Sequence, residues 1–410
     1  MKAKLIFLVG LLSIISCESI LKEKITGKIG VEEVLNDTTF SAMGAYFSPN
    51  VKNEIILSWT EEIDTSFTNI LKYKIFDTKT KSFGETKEVK SSIGIQSHEE
   101  SMAKIAKTSN GIMYAVFRYK TPTPKNRFAG SVFYSISSDD GTTWSEKKKL
   151  VTAETSQSQS FYDIALLPNG ELGMCWLDNR KLIKNKGGST LYFAHSYGNE
   201  GFVNEKPIAG STCQCCRTDM FISGKNQINV AYRNIMNDSI RDMFVTKSLD
   251  NGKSFSKPVR MGKDDWKIFG CPHTGPSLAS NGVDLAVAWY TGAESGRGLF
   301  FKNLNDEIGF LKNKNLISPT GLHPQMTALN NGNYYLVYED FYTENNQTYS
   351  DIILNTISAD GEQNKISITK KHTFNDHAVI SNVDNNYLLL AWVNKVEGKS
   401  KIVYKLINNE

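Results

Sequence analysis

Soft and borderline metal ligands are the first feature of this chain that suggests chemistry. Four of its six cysteines fall in two short stretches, Cys213-Gln214-Cys215-Cys216 and Cys271-Pro272-His273. His98, His323 and His377 each stand a little ahead of an alternating apolar run, as His273 does. Thiolate sulfur and neutral imidazole together suit Cu(I) or Zn(II), whereas hard cations prefer oxygen. The candidate metal ligands are therefore His98, Cys213, Cys215, Cys216, Cys271, His273, His323 and His377. On extended backbone Cys213 and Cys215 share one face and Cys216 points to the other. At most two of the three are then expected to reach one ion together with Cys271 or His273. Oxidation is the competing chemistry: in an exported chain the four thiols form two disulfides, with Cys271 bridged to Cys213 or Cys215 across neighbouring repeats. Cys175, inside the apolar run Leu172-Gly173-Met174-Cys175-Trp176, reads as a buried free thiol.

These residues must be positioned by something regular, and the chain is built on a repeat. An aromatic ending an alternating apolar run recurs at Trp59, Phe117, Trp176, Tyr232, Trp289, Tyr338 and Trp392, at spacings of 58, 59, 56, 57, 49 and 54. Before most anchors lies a small apolar strand and a turn with Asn or Gly, as in Ile164-Ala165-Leu166-Leu167-Pro168-Asn169-Gly170. Strand–turn–strand at a constant period, with no helical pattern, predicts an all-β propeller. Seven anchors predict seven blades, with six plus an irregular insertion as the alternative. The last copy is short, so the stretch 29–35 is expected to supply its outer strand. Cys213, Cys215, Cys216 and Cys271 all fall in one narrow window upstream of their anchors, Tyr232 for the first three and Trp289 for the last. His98, His273, His323, His372 and His377 fall in the same window before theirs, and only His195 lies elsewhere. In a propeller that window opens the innermost strand, so the side chains are expected to share the space around the central channel.

The start of the chain is a targeting segment. Lys2 and Lys4 precede an apolar core from Leu5 to Ile15, and Ile14-Ile15-Ser16-Cys17 resembles a bacterial lipobox. Residues 1–16 read as a lipoprotein signal peptide, 17–28 as a tether and 29–410 as the propeller. Lipid on Cys17 implies anchoring to a bacterial membrane in the cell envelope, with the outer membrane expected. The apolar core is too short to span a bilayer as a helix. Formal charge is +4, and the lysines are scattered rather than striped, which excludes nucleic acid as a partner.

Ser137-Ser138-Asp139-Asp140-Gly141-Thr142-Thr143-Trp144 and Ser248-Leu249-Asp250-Asn251-Gly252-Lys253-Ser254-Phe255 fit one pattern, with Ser358-Ala359-Asp360-Gly361 a worn third copy. The pattern resembles the Asp-box, or BNR, repeat of the sialidase superfamily. The residue types suit a hairpin turn: Asp accepts backbone N–H groups, Gly supplies positive φ and the aromatic folds back. The chain is also similar to a group of exported sialidase-like proteins with a comparable Cys-x-Cys-Cys and a later Cys-Pro. The resemblance implies a sialidase-like propeller, and an exo-α-sialidase or related glycoside hydrolase if it is an enzyme. It does not extend to the catalytic motif. No arginine precedes Arg118 and none follows Arg297, so the Phe/Tyr-Arg-Ile-Pro arginine of the carboxylate clamp is missing. Arg118, Asp178, Arg180, Arg233, Tyr338 and Glu339 are the weak candidates for a divergent catalytic set. The sequence favours a lipid-anchored binding propeller with a Cys/His site for copper or zinc. A glycan hydrolase and a scaffold docking an envelope protein stand as alternatives.

Conventional sialidase turnover is expected to be absent, because lysine cannot replace the bidentate guanidinium on a sialic acid carboxylate. A fluorogenic sialoside checks this. Turnover that is lost on changing Arg118, Arg180 or Arg233 would contradict it.

Overall fold

The computed structural model describes residues 30–124, 126–180, 187–304 and 314–409. The alternating runs fold into antiparallel meanders that follow one another along the chain. Their first strands are Ala42–Phe47, Lys104–Lys107, Gln159–Leu166, Asp219–Ser223, Ser277–Ser280, Leu322–Ala328 and Phe374–Asn382. These first strands contact one another in succession, with Lys104–Lys107 meeting the first meander through its second strand, Glu54–Glu62, so the meanders ring a common axis. Among the described residues there is no α-helix, only two short 3-10 turns. None of the described elements is a helix long and apolar enough to cross a membrane. The fold is the expected β-propeller. The signal segment, Cys17 and the tether lie outside the described residues.

The recurrent aromatic is what joins one meander to the next. Each anchor lies on the second strand of its meander, and the seven fall in seven separate apolar clusters. Each cluster includes side chains of the preceding meander. Trp176 packs with Tyr114 and Val116, Trp289 with Met243 and Val245, and Trp59 with Val379 and Leu389. Trp59, Trp176, Trp289 and Trp392 are fully buried. A buried indole N–H needs an acceptor, which is why polar residues accompany the anchors. Trp59 donates to Glu61 at 2.7 Å, Trp289 to Asp264 at 2.7 Å and Trp392 to Asn375 at 3.0 Å.

The Asp-box turns form as the residue types dictate. Asp139 accepts from the Thr143 hydroxyl at 2.6 Å and its N–H at 2.9 Å, while Ser137 Oγ receives Gly141 N–H at 2.9 Å. Asp250 repeats this with Ser254 at 2.5 and 2.9 Å. The Thr143 and Ser254 hydroxyls, then their N–H groups, hold the two carboxyls down to about 2. Gly141 has φ +77°, and a Cβ there would lie 1.9 Å from Tyr73 Oη. Trp144 is only half-buried, packing edge-on against Tyr73 of the first meander with centroids 6.1 Å apart. These turns thus clasp the preceding meander at its outer end, and Asn251, Gly252 and Lys253 of the second also line a surface cleft with His195 and Asn204.

Ring closure uses both ends of the described chain. Glu33–Val34 adds to Lys399–Asn408, pairing Glu33 with Tyr404 and Val34 with Val403. Leu35 N–H donates to Ile402 O at 2.9 Å, and Asn36 Oδ1 accepts from Ile402 N–H at 2.7 Å. Leu35 is buried in the cluster that holds Trp59. Deleting residues 30–36 is therefore expected to expose a sheet edge and open the seam between the first and last meanders. Thermal unfolding checks this: the single transition of the whole domain should move down, whereas an unchanged melt would assign the strand no closing role.

Candidate functional site

A backbone device repeated around the ring aims side chains at the axis. Gly44, Phe161, His323 and His377 stand at one common offset ahead of Trp59, Trp176, Tyr338 and Trp392. Their φ values are +69°, +48°, +48° and +48°. At each of them the pairing register of the first strand shifts. Such a bulge inserts one residue, breaks the strict in–out alternation and re-aims the side chain. His273, set one place further ahead of its anchor Trp289, also has positive φ, +51°. Holding a non-glycine residue left-handed costs on the order of 1–2 kcal/mol, so the surrounding packing must enforce it.

The result is a cleft of about 410 Å³ at one end of the axis, lined by Met43, His98, Glu99, Glu100, His273, His323 and His377. His323 and His377 stack with centroids 4.1 Å apart. Glu339 joins them, with Oε1 2.6 Å from His323 Nδ1 and Oε2 accepting His377 N–H at 2.8 Å. His377 Nδ1 lies 3.3 Å from Asp376 and 3.4 Å from Glu99. Burial works to lower the His377 pKa, but Asp376, Glu339 and Glu99 prevail and raise it to about 9. His98 Nδ1 accepts Glu100 N–H at 3.1 Å, and burial lowers its pKa. One donor atom from each of Glu100, His323 and His377 lies within 4.8 Å of the others.

The floor of the cleft is an ion pair. Arg217 is buried and stands before Tyr232 at the offset that His323 and His377 have from their own anchors. It donates to Glu100 at 3.0 Å and to Pro324 O at 2.8 Å, with Pro276 O at 3.3 Å. Glu100 also accepts Gly275 N–H at 3.1 Å. Burial pushes Glu100 up, but Arg217, His323, His377 and the Gly275 N–H together outweigh it and leave the carboxyl below its ordinary value. Beneath lies a second charged pair, Lys104 with Asp163 at 2.6 Å, beside Asp219, whose pKa burial raises to about 7. Sequence reasoning missed both Arg217 and Glu100. The shared offset of Arg217 was a signal there to find; Glu100 had none beyond its nearness to His98.

The thiols form a separate cluster in the seam between the third and fourth meanders. Cys213 Sγ lies 3.4 Å from Cys215 Sγ and 3.7 Å from Cys216 Sγ, and all three are buried. The expectation that Cys216 points away fails because residues 213–216 turn rather than extend, so alternation does not apply. The Cys215 and Cys216 S–H groups, with Arg241 Nη1 at 3.1 Å, pull the Cys213 thiol far down. Burial pushes Cys216 up, and the neighbouring Cys213 raises Cys215. The arrangement favours one thiolate held by two thiols and a guanidinium. Cys271 is exposed and free, with no disulfide to Cys213 or Cys215. Neither it nor His273 falls within the thiol group, so the expected single Cys/His set divides into a buried triad and a histidine mouth. Cys175 is buried and free, as expected.

The weak catalytic candidates are mostly engaged elsewhere. Arg118 donates to the carbonyls of Gln159 and Phe128 and to Gln96. Arg233 donates to the carbonyls of Arg241, Thr274 and Tyr290. Arg180 is 3.0 Å from Asp178 and 2.8 Å from Glu205. Tyr338 is fully buried among apolar side chains, and burial raises its pKa. Only Glu339 reaches the mouth, as the partner of two histidines. His195 and His372 lie away from it, His372 against Glu344 at 2.7 Å.

Residues 71–289 match the family model described as BNR repeat-like domain. No curated protein matches the chain. Among solved structures, the chain is similar to a Dyadobacter fermentans DSM 18053 protein of unknown function, with 12% identity, TM-score 0.54, and coverage of 95% of this chain and 100% of that one. A PL25 ulvan lyase bound to -[GlcA(1-4)Rha3S]- gives 9%, 0.56, 92% and 96%. The intramolecular trans-sialidase of Ruminococcus gnavus, in complex with oseltamivir carboxylate, gives 8%, 0.51, 92% and 97%. At these identities the likeness is one of fold.

Arg217→Met should leave Glu100 charged and buried without its partner, at a cost of about 3–5 kcal/mol. Arg217→Met with Glu100→Gln is expected to recover much of that loss. Denaturant unfolding of the single and double variants measures both, and a near-zero cost for the single change would show that the pair does not hold the floor.

Proposed function

The chain belongs to the BNR repeat-like family, and from that premise we propose that it is a lipid-anchored propeller of the bacterial cell envelope that binds a thiophilic ion, Cu(I) or Zn(II), through Cys213, Cys215 and Cys216. The observation that carries this reading is the triad itself. Three buried sulfurs lie within one turn, Cys213 being 3.4 and 3.7 Å from the other two. A zinc–sulfur bond of about 2.3 Å sets tetrahedral sulfurs roughly 3.8 Å apart, so the cluster is close to the size an ion requires. Arg241 beside Cys213 supplies positive charge that favours thiolate, the form that binds metal. The donor set is soft and closed in by the seam, which suits a permanently held ion more than an exchangeable one.

Anchoring rests on the lipobox-like Ile14-Ile15-Ser16-Cys17. A glycoside hydrolase reading has less support, because the arginine, tyrosine and aspartate candidates are engaged in packing and ion pairs away from the mouth.

Protein purified without chelator is expected to carry about one Cu or Zn that is lost in Cys213→Ser, Cys215→Ser. Affinity should fall as pH is lowered, since protons compete for the thiolates. Metal analysis and thiol titration under denaturing conditions check it. Five reactive thiols with no bound ion and no uptake of added Zn(II) or Cu(I) would overturn the reading, as would thiols already paired in disulfides. Cys17→Ser should move the protein from the membrane to the soluble fraction.

A further inference from the structure

We propose that Glu100, His323 and His377 form a second cation centre, independent of the thiolates, that holds a divalent transition ion with positions open to the cleft. The three residues arrive from separate parts of the ring, yet one donor atom of each lies within 4.8 Å of the others. Charge demands something there. Glu99, Glu100, Glu339 and Asp376 surround the two stacked rings, and among the described residues the fixed cations paired with them are Arg217 and Lys395. That leaves an excess of two negative charges before any histidine is counted.

The hydrogen bonding is also one donor short. A neutral His323 that gives its Nδ1 proton to Glu339, 2.6 Å away, turns its Nε2 lone pair toward His273 O at 3.1 Å. Acceptor then faces acceptor. His377 stacks on the same ring, centroids 4.1 Å apart. A single dication answers the charge excess and the unmatched lone pair at once. Two imidazoles with one carboxylate are borderline donors suited to Fe(II), Co(II), Mn(II) or Zn(II), and such a triad leaves positions free. Glu339 is then the positioning residue that fixes the His323 tautomer, as carboxylates behind metal-bound histidines do. The open positions face the cleft of about 410 Å³, with room for an anionic oxygen ligand such as a carboxylate.

Co(II) and Mn(II) titration of chelator-stripped protein carrying Cys213→Ser, Cys215→Ser and Cys216→Ser tests the centre with the thiolates removed. One ion should still bind, with imidazole nitrogen couplings in pulsed EPR of the Mn(II) form and no sulfur-to-cobalt charge-transfer band. His323→Gln or His377→Gln should weaken binding by at least about tenfold and Glu339→Gln by roughly 10–100-fold, while His195→Gln changes nothing. Loss of uptake in a thiol variant that melts like the parent overturns the proposal, and so does uptake indifferent to both histidines. If the thiol variant does not fold, the Mn(II)-loaded parent decides, because manganese prefers oxygen and nitrogen donors to thiolate. Absence of imidazole coupling there overturns the proposal and leaves the thiolate reading untouched.

Discussion

The ion pair between Arg217 and Glu100 is the interaction on which the mouth of this propeller depends. It joins residues 117 positions apart in sequence and reaches on to the carbonyls of Pro276 and Pro324. One guanidinium therefore ties the fourth meander to the loop before the second and to the fifth and sixth. Two desolvated charges are worth little net stability when paired. Their contribution is positional: they fix the level above which His98, His273, His323 and His377 stand. They also separate the cleft from the Lys104–Asp163 pair farther down the axis.

Two different packing problems are solved by two parts of each repeat. The aromatic anchor belongs to the seam with the preceding meander, where apolar area and a satisfied indole N–H hold one sheet against the next. The left-handed bulge belongs to the axis. Because it inserts a residue, it frees one side chain from the alternation that the seam imposes on the rest of the strand. Phe161 and His323 can occupy the same backbone geometry for that reason, although one is apolar and the other polar.

Much of this was legible in the sequence. The period, the seven anchors, the closing strand and the Asp-box turns all follow from local residue types, and they appear where expected. The gathering of histidines ahead of the anchors was legible as well, since a common offset in a ring means a common place. The rest depends on backbone geometry or on long-range pairing. Cys216 joins Cys213 and Cys215 because the chain turns there, and alternation cannot register a turn without Gly or Pro. Cys271 and His273 sit close to the thiols in repeat offset yet lie outside their group in space, His273 at the mouth and Cys271 exposed. Arg118 and Arg233 looked available because sequence does not reveal that carbonyls of neighbouring strands already claim their N–H groups.

The bulged ring has a consequence for anything that approaches along the axis. Taken at the common offset, Gly44, Met102 and Phe161 follow one another on one side, while Arg217, His323 and His377, with His273 between them, occupy the other. Arg217 sits at the buried floor, and of this set His273, His323 and His377 reach the lining of the mouth. The order of the repeats thus gathers three imidazoles, from three successive repeats, on one sector of the opening.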